Sequence, residues 1–190
     1  GEVKLFQEVP FYRERTLYKG DFFSVQGVAK IVSNGVGVVN SSRDYTGFNL
    51  FGGPLEEEGK FRYIDGCTDT LLVPPVRKGD PCLNHLHFPQ DIVQTPHTHP
   101  SVRAGLIYKG RGECIVPGDN SIPLIPGNAF VIKTNTYYFL LNKAKIKKND
   151  TPITPPLTKE TIICTIHMLR VLSKDKYFSN IPIIKNTNTQ

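Results

Sequence analysis

The stretch Thr95-Pro96-His97-Thr98-His99-Pro100-Ser101-Val102-Arg103, running on to Gly110, decides how this 190-residue chain is read. In an extended segment successive side chains alternate, so His97 and His99 project to the same side. Two imidazoles on one side are half of a transition-metal site. A hydrogen-bonded structural pair fits the same two positions, so the context has to decide between them.

On either side of this stretch, short apolar runs are punctuated by turn residues. Cys82 to Phe88 precedes it as a strand, and Ala104 to Tyr108 and Glu113 to Val116 follow as a hairpin around Lys109-Gly110-Arg111-Gly112. Phe130 to Lys133 and Tyr137 to Leu141 read as two further strands, and Thr161 to Leu172 as the last. Upstream, Phe22 to Ile31, Val36 to Val39, Tyr45 to Phe51, Phe61 to Ile64 and Thr70 to Val73 have the same character. Asp65-Gly66-Cys67-Thr68-Asp69 reads as a turn between strands. With 16 Gly, 15 Pro, one Met, no Trp and no amphipathic helical stretch, the composition excludes a helical bundle. The pattern is all-β, a sandwich or a barrel.

Hydrophobic content of 39% argues against disorder, and no apolar run approaches the roughly 20 residues of a membrane-spanning helix. The net charge is +6, part of it in Lys143, Lys145, Lys147 and Lys148, which no aromatic residues interleave. That cluster reads as a solvated loop, not a stacking platform, which makes a nucleic-acid partner unlikely. Cys67, Cys82, Cys114 and Cys164 are widely spaced, form no CxxC, and lie in or beside apolar runs. Free buried thiols in a reducing cytoplasm are the expectation.

The chain resembles the cupin family. The family's first motif is HxH, then Glu after three or four residues and Gly after six more; the corresponding residues here are His97, His99, Arg103 and Gly110. The second is a Pro-Gly turn, a strand, a His, and an Asn four residues on; here it is Pro126-Gly127-Asn128, the strand Ala129 to Lys133, Tyr138 and Asn142. The wording Pro-His-Thr-His-Pro is also similar to germin-type members. The resemblance covers about 62–172 and implies a double-stranded β-helix, the cupin jelly-roll barrel. On that reading residues 1–60 are an N-terminal β extension packing on the barrel or on a partner subunit, 61–173 are the barrel, and 174–190 are a C-terminal tail. Barrels of this class often pair, which implies a homodimer.

The departures from the motif bear on chemistry. Arg stands where the family has Glu and Tyr where it has the third His, and a guanidinium ligates no cation. Three readings stay open. A divalent transition metal (Zn, Fe or Ni) is held by His97, His99 and His167, the last taken as inward because Ile163, Thr165, Leu169 and Val171 share its phase while Arg170 sits in the other. Tyr138 then serves as acid or base, and Arg103 holds an anionic substrate group in an oxygenase or isomerase. Alternatively the pocket is metal-free and Arg103 clamps an anionic small molecule. In the third reading the barrel is structural. Arg103 points outward if the strand register slips by one; its spacing to Gly110 favours the inward phase. His85 and His87 alternate with Leu86 and Phe88, and are expected to face solvent or a subunit contact.

Overall fold

The computed structural model describes residues 2–7, 13–35, 37–41, 47–118 and 121–142, with the backbone of 160–166 and 183–184. The described strands are β1 (Val3–Gln7), β2 (Arg13–Leu17), β3 (Phe22–Ser24), β4 (Ala29–Ser33), β5 (Leu50–Gly52), β6 (Phe61–Arg62), β7 (Thr68–Val73) and β8 (Cys82–Phe88). They continue with β9 (Arg103–Lys109), β10 (Gly112–Ile115), β11 (Ile122–Leu124), β12 (Ala129–Ile132), β13 (Phe139–Leu141), β14 (Glu160–Ile166) and β15 (Ile183–Ile184). Among the described residues the one helical turn is a 3-10 turn at Ile64–Gly66, so the protein is all-β.

Two sheets make the jelly roll. The larger runs β15-β12-β9-β14-β8-β7-β6, and the smaller β11-β10-β13. The core lies between them: Leu86, Phe88, Ile107, Phe130 and Ile132 of the larger sheet meet Cys114, Leu124 and Leu140 of the smaller, together with Tyr138. The alternation of each strand explains its burial, because a pleated strand with one face in the core buries every second side chain. Ile107 and Arg103 are four residues apart on β9, so Arg103 enters the barrel on the core face, as its spacing to Gly110 implies. Gly110, at φ 86°, turns β9 into β10 in the left-handed region that glycine tolerates. Asn142 donates from Nδ2 to the carbonyls of Phe88 and Pro89, both at 2.9 Å, tying the end of β13 to the end of β8.

Upstream, β2-β1-β4 form a small antiparallel sheet around buried Leu5 and Leu17, and β3 pairs with β5. The sequence pattern did not disclose β1 and β2. It joined β3 and β4 into one strand, which Gly27 at φ 84° interrupts. Gly37 to Val39 form no strand.

Residues 56–60 run as a strap across the outer face of β7 and β8. Gly59 N–H donates to Thr68 Oγ1 at 2.8 Å and Lys60 N–H to Thr70 Oγ1 at 2.9 Å. A Cβ on Gly59 would stand 2.4 Å from the Asp69 backbone nitrogen, so only glycine lets the two backbones approach this closely. Opposite Leu86 and Phe88, as expected from the alternation, are His85 and His87. Solvent is not their environment, however: they are 1% and 4% exposed. The expectation of an open or subunit-facing position fails because the chain's own amino-terminal stretch passes over this face. Burial, and then the neighbouring His87, push His85 down to about 4 from the ordinary 6.5, with Glu56 opposing weakly.

Two outcomes follow. Gly59→Ala should cost about 1–3 kcal/mol in urea unfolding, since the clash is with backbone. Between about pH 6.5 and 4 the unfolded chain binds a proton at His85 that the folded chain refuses. Stability therefore falls as pH drops through that window, by up to about 1.4 kcal/mol per pH unit from this group. His85→Gln should make that acid limb shallower, read from urea midpoints at pH 7, 6 and 5.

Candidate functional site

The loop 95–102 is held from below and from the side. Asp65, in the left-handed region at φ 54°, accepts from Thr95 N–H and, at 3.1 Å, from Thr95 Oγ1. His97 and Tyr138 exchange backbone hydrogen bonds of 3.0 and 3.1 Å, and Asn135 N–H donates to the His99 carbonyl at 2.7 Å. The isolated pairing of His97 with Tyr138 brings their side chains together. The three rings form a triangle with centroid separations of 4.9 Å (His97–His99), 5.0 Å (His97–Tyr138) and 5.9 Å (His99–Tyr138). Tyr138, 5% exposed, is the wall on which both imidazoles rest.

Each imidazole has its tautomer set by its partner. The Thr95 carbonyl can only accept, so His97 Nδ1, at 2.8 Å from it, carries the proton and Nε2 keeps a lone pair. A guanidinium can only donate, so His99 Nδ1, 2.5 Å from Arg103 Nη2, is the acceptor and Nε2 carries the proton. Burial first, and then the charges of Arg103 and His97, push His99 down to about 4, which keeps it neutral.

Arg103 Nε is buried and has no hydrogen-bond partner among the described residues. The carboxylate that feels the guanidinium charge is Asp69, on β7, which accepts from Asn84 Nδ2 at 2.8 and 3.1 Å. Burial raises the Asp69 carboxyl above its usual range, against the pull of Asn84 and Arg103. Cys82 is likewise raised chiefly by burial, with Arg103 opposing. In sequence Asn84 carries no site signal, and Asp69 reads as a turn residue that could also cap the turn or pair with a pocket cation. The signal was there: both are polar residues at core-facing positions of strands that otherwise alternate, and a buried polar group needs a reason.

The described donor set does not fit a divalent metal. No three His, Cys, Asp or Glu converge among the described residues. The Nδ1 lone pair of His99 is taken by Arg103, which leaves His97 Nε2 as the free imidazole lone pair of the pair. A guanidinium in contact with a ligand would also repel the ion. His167 lies outside the described residues. The strand leading to it pairs Ile166 with Arg103 and Thr165 with Ala104.

Cys67, Cys82 and Cys114 are free thiols, and burial pushes Cys67 up to about 11, which makes it inert. No helix among the described residues is long and apolar enough to cross a membrane. A separate cleft lined by Phe88, Ile107, Leu124 and Leu140 opens at the Lys109 end of β9 and takes no part in the cluster.

No protein-family model matches the chain, and no curated protein matches it. Solved structures do. A cupin 2 conserved barrel domain protein from Leptotrichia buccalis superposes with a TM-score of 0.53 at 16% identity, over 88% of this chain and 69% of that one. A cupin-like protein from Thermotoga maritima gives 0.46 at 14% identity, over 60% and 80%. KdgF from Halomonas sp. gives 0.40 at 19% identity, over 54% and 82%. The fold is that of the cupin barrel.

Removing the Asp65 carboxylate strips the Thr95 N–H and Oγ1–H of their acceptor, so Asp65→Ala should destabilise by about 1–3 kcal/mol in thermal or urea unfolding. Backbone amide exchange at 95–99 should quicken with it.

Proposed function

We propose that the barrel binds a small carboxylate through Arg103, without a metal. The observation that carries this is the state of the guanidinium. It lies on the core face of β9, has one arm on His99, and keeps a buried Nε–H with no partner among the described residues. Leaving a charged donor buried and unpaired costs more than a neutral one, and a bidentate carboxylate is the ligand whose geometry matches the fork. Asp69 feels the guanidinium charge, and among the described residues no ion pair joins it to Arg103. That arrangement suits a site that exchanges a distant counter-charge for a close one when the ligand enters.

Acetate and 2-oxobutyrate are suitable probes, with chloride at matched ionic strength as the control. Each carboxylate should raise the unfolding temperature of the wild type with the logarithm of its concentration. Arg103→Met should show no such rise, and Arg103→Lys, lacking the planar fork, should need about tenfold more ligand. Equal shifts with chloride, or an undiminished response in Arg103→Met, would overturn the reading.

A further inference from the structure

We infer that residues 56–60 are an acid-released strap: a proton taken up at His85 lets this segment lift off β7 and β8 while the barrel stays folded. The inference concerns the outer face of the larger sheet and is independent of Arg103. The two hydrogen bonds that tie the strap down land beside the buried imidazoles. Gly59 N–H donates to Thr68 Oγ1 and Lys60 N–H to Thr70 Oγ1, at 2.8 and 2.9 Å. Thr68 stands directly across from His87, and Thr70 directly across from His85. The Thr68 hydroxyl also lies 3.4 Å from His87 Nδ1. Both rings are closed off from water, and His85 Nε2 has no hydrogen-bond partner among the described residues. While His85 is neutral, that nitrogen is one unanswered polar atom. Once the ring is protonated both nitrogens carry N–H, and Nε2 becomes a buried charged donor without an acceptor.

The groups around His85 offer that donor little. On its own strand the titratable neighbour is His87, whose charge opposes protonation. On the strap Glu56 attracts the proton, the smallest of the influences on the ring, and its carboxylate lies 3.8 Å from Lys60 Nζ. Glu57 and Glu58 belong to the same exposed stretch. β7 presents the Thr70 hydroxyl, and β14 places Ile163 opposite; neither titrates. A closed strap therefore refuses the proton that an open one, with water at the ring, accepts. The strap is also the element that can yield. Two consecutive N–H groups on side-chain hydroxyls tie it to β7, whereas β7 and β8 share an antiparallel ladder from Thr68 to Val73. A segment held by so few bonds opens before the sheet beneath it does.

Site-resolved amide exchange by NMR tests this, each rate being compared with the intrinsic rate at the same pH to give a protection factor. In the wild type the protection factors of Gly59 and Lys60 should fall about 20-fold between pH 7 and pH 5. Each pH unit below the ordinary imidazole value multiplies the opening nearly tenfold, because only the open form takes the proton. In His85→Gln the fall should stay under about threefold. His85→Leu, which removes every polar atom of the ring, should be equally flat. Urea separates lifting of the strap from unfolding of the barrel, and needs the wild type alone. At pH 5 the Gly59 and Lys60 amides should exchange at the same rate with and without about 1 M urea. The amide of Ile107, held by the Asn128 carbonyl at 2.9 Å, should exchange faster in urea. Protection at Gly59 and Lys60 that does not change with pH overturns the inference. So does a fall as steep in both His85 variants as in the wild type, or a urea dependence at the strap equal to that at Ile107.

Discussion

The contact between Arg103 and His99 governs the chemistry of this barrel. It occupies the imidazole lone pair that a metal would need, and it brings a permanent positive charge to the core face of β9. Once that contact is made, the neighbouring arrangement follows. His99 must be the Nε2–H tautomer. Asn84 holds the half-buried Asp69 as a counter-charge, against the burial penalty that raises its carboxyl. The Tyr138 ring, apolar and nearly inaccessible, can stand where a charged or ligating group would compete for the guanidinium. A guanidinium lodged in a barrel is costly unless its donors are answered, and among the described residues one of them is not.

Rigidity comes from elsewhere. The loop bearing both imidazoles has no regular structure of its own beyond the pairing of His97 with Tyr138. It is fixed at one end by Asp65 and at the other by Asn135 and the start of β9. Asp65 adopts a left-handed conformation, at a cost for any residue with a Cβ, and in that position reaches Thr95. The carbonyl that sets the His97 tautomer belongs to the residue Asp65 holds. The orientation of a proton on one imidazole is thus determined by a turn 30 residues earlier in the chain.

The sequence disclosed the barrel strands well. Cys82–Phe88 was read to the residue, and the hairpin around Gly110 to within one or two, because their alternation and turn chemistry agree. The inward phase of Arg103 was legible from its spacing to Gly110. The tautomers were not, since they depend on a carbonyl and a guanidinium brought together by folding. Asn84 and Asp69 were hidden because each looks ordinary within its own strand; only pairing β7 with β8 makes them one unit. His85 and His87 were placed on the right face but in the wrong medium. Alternation tells which way a side chain points and says nothing of what arrives later to cover it. The strap that does so carries Glu56, Glu57 and Glu58, a composition that reads as exposed.

The close crossing at Gly59 bears on where this molecule can be divided. Thr68 and Thr70 spend their hydroxyls as acceptors for backbone N–H groups that come from the amino-terminal side. Beneath them the face of β7 and β8 is furnished with side chains suited to a dry interior. A fragment trimmed to start at Phe61 would present that wall to water, with two imidazoles newly able to charge. The strap at residues 56–60 therefore belongs to the barrel's outer lining.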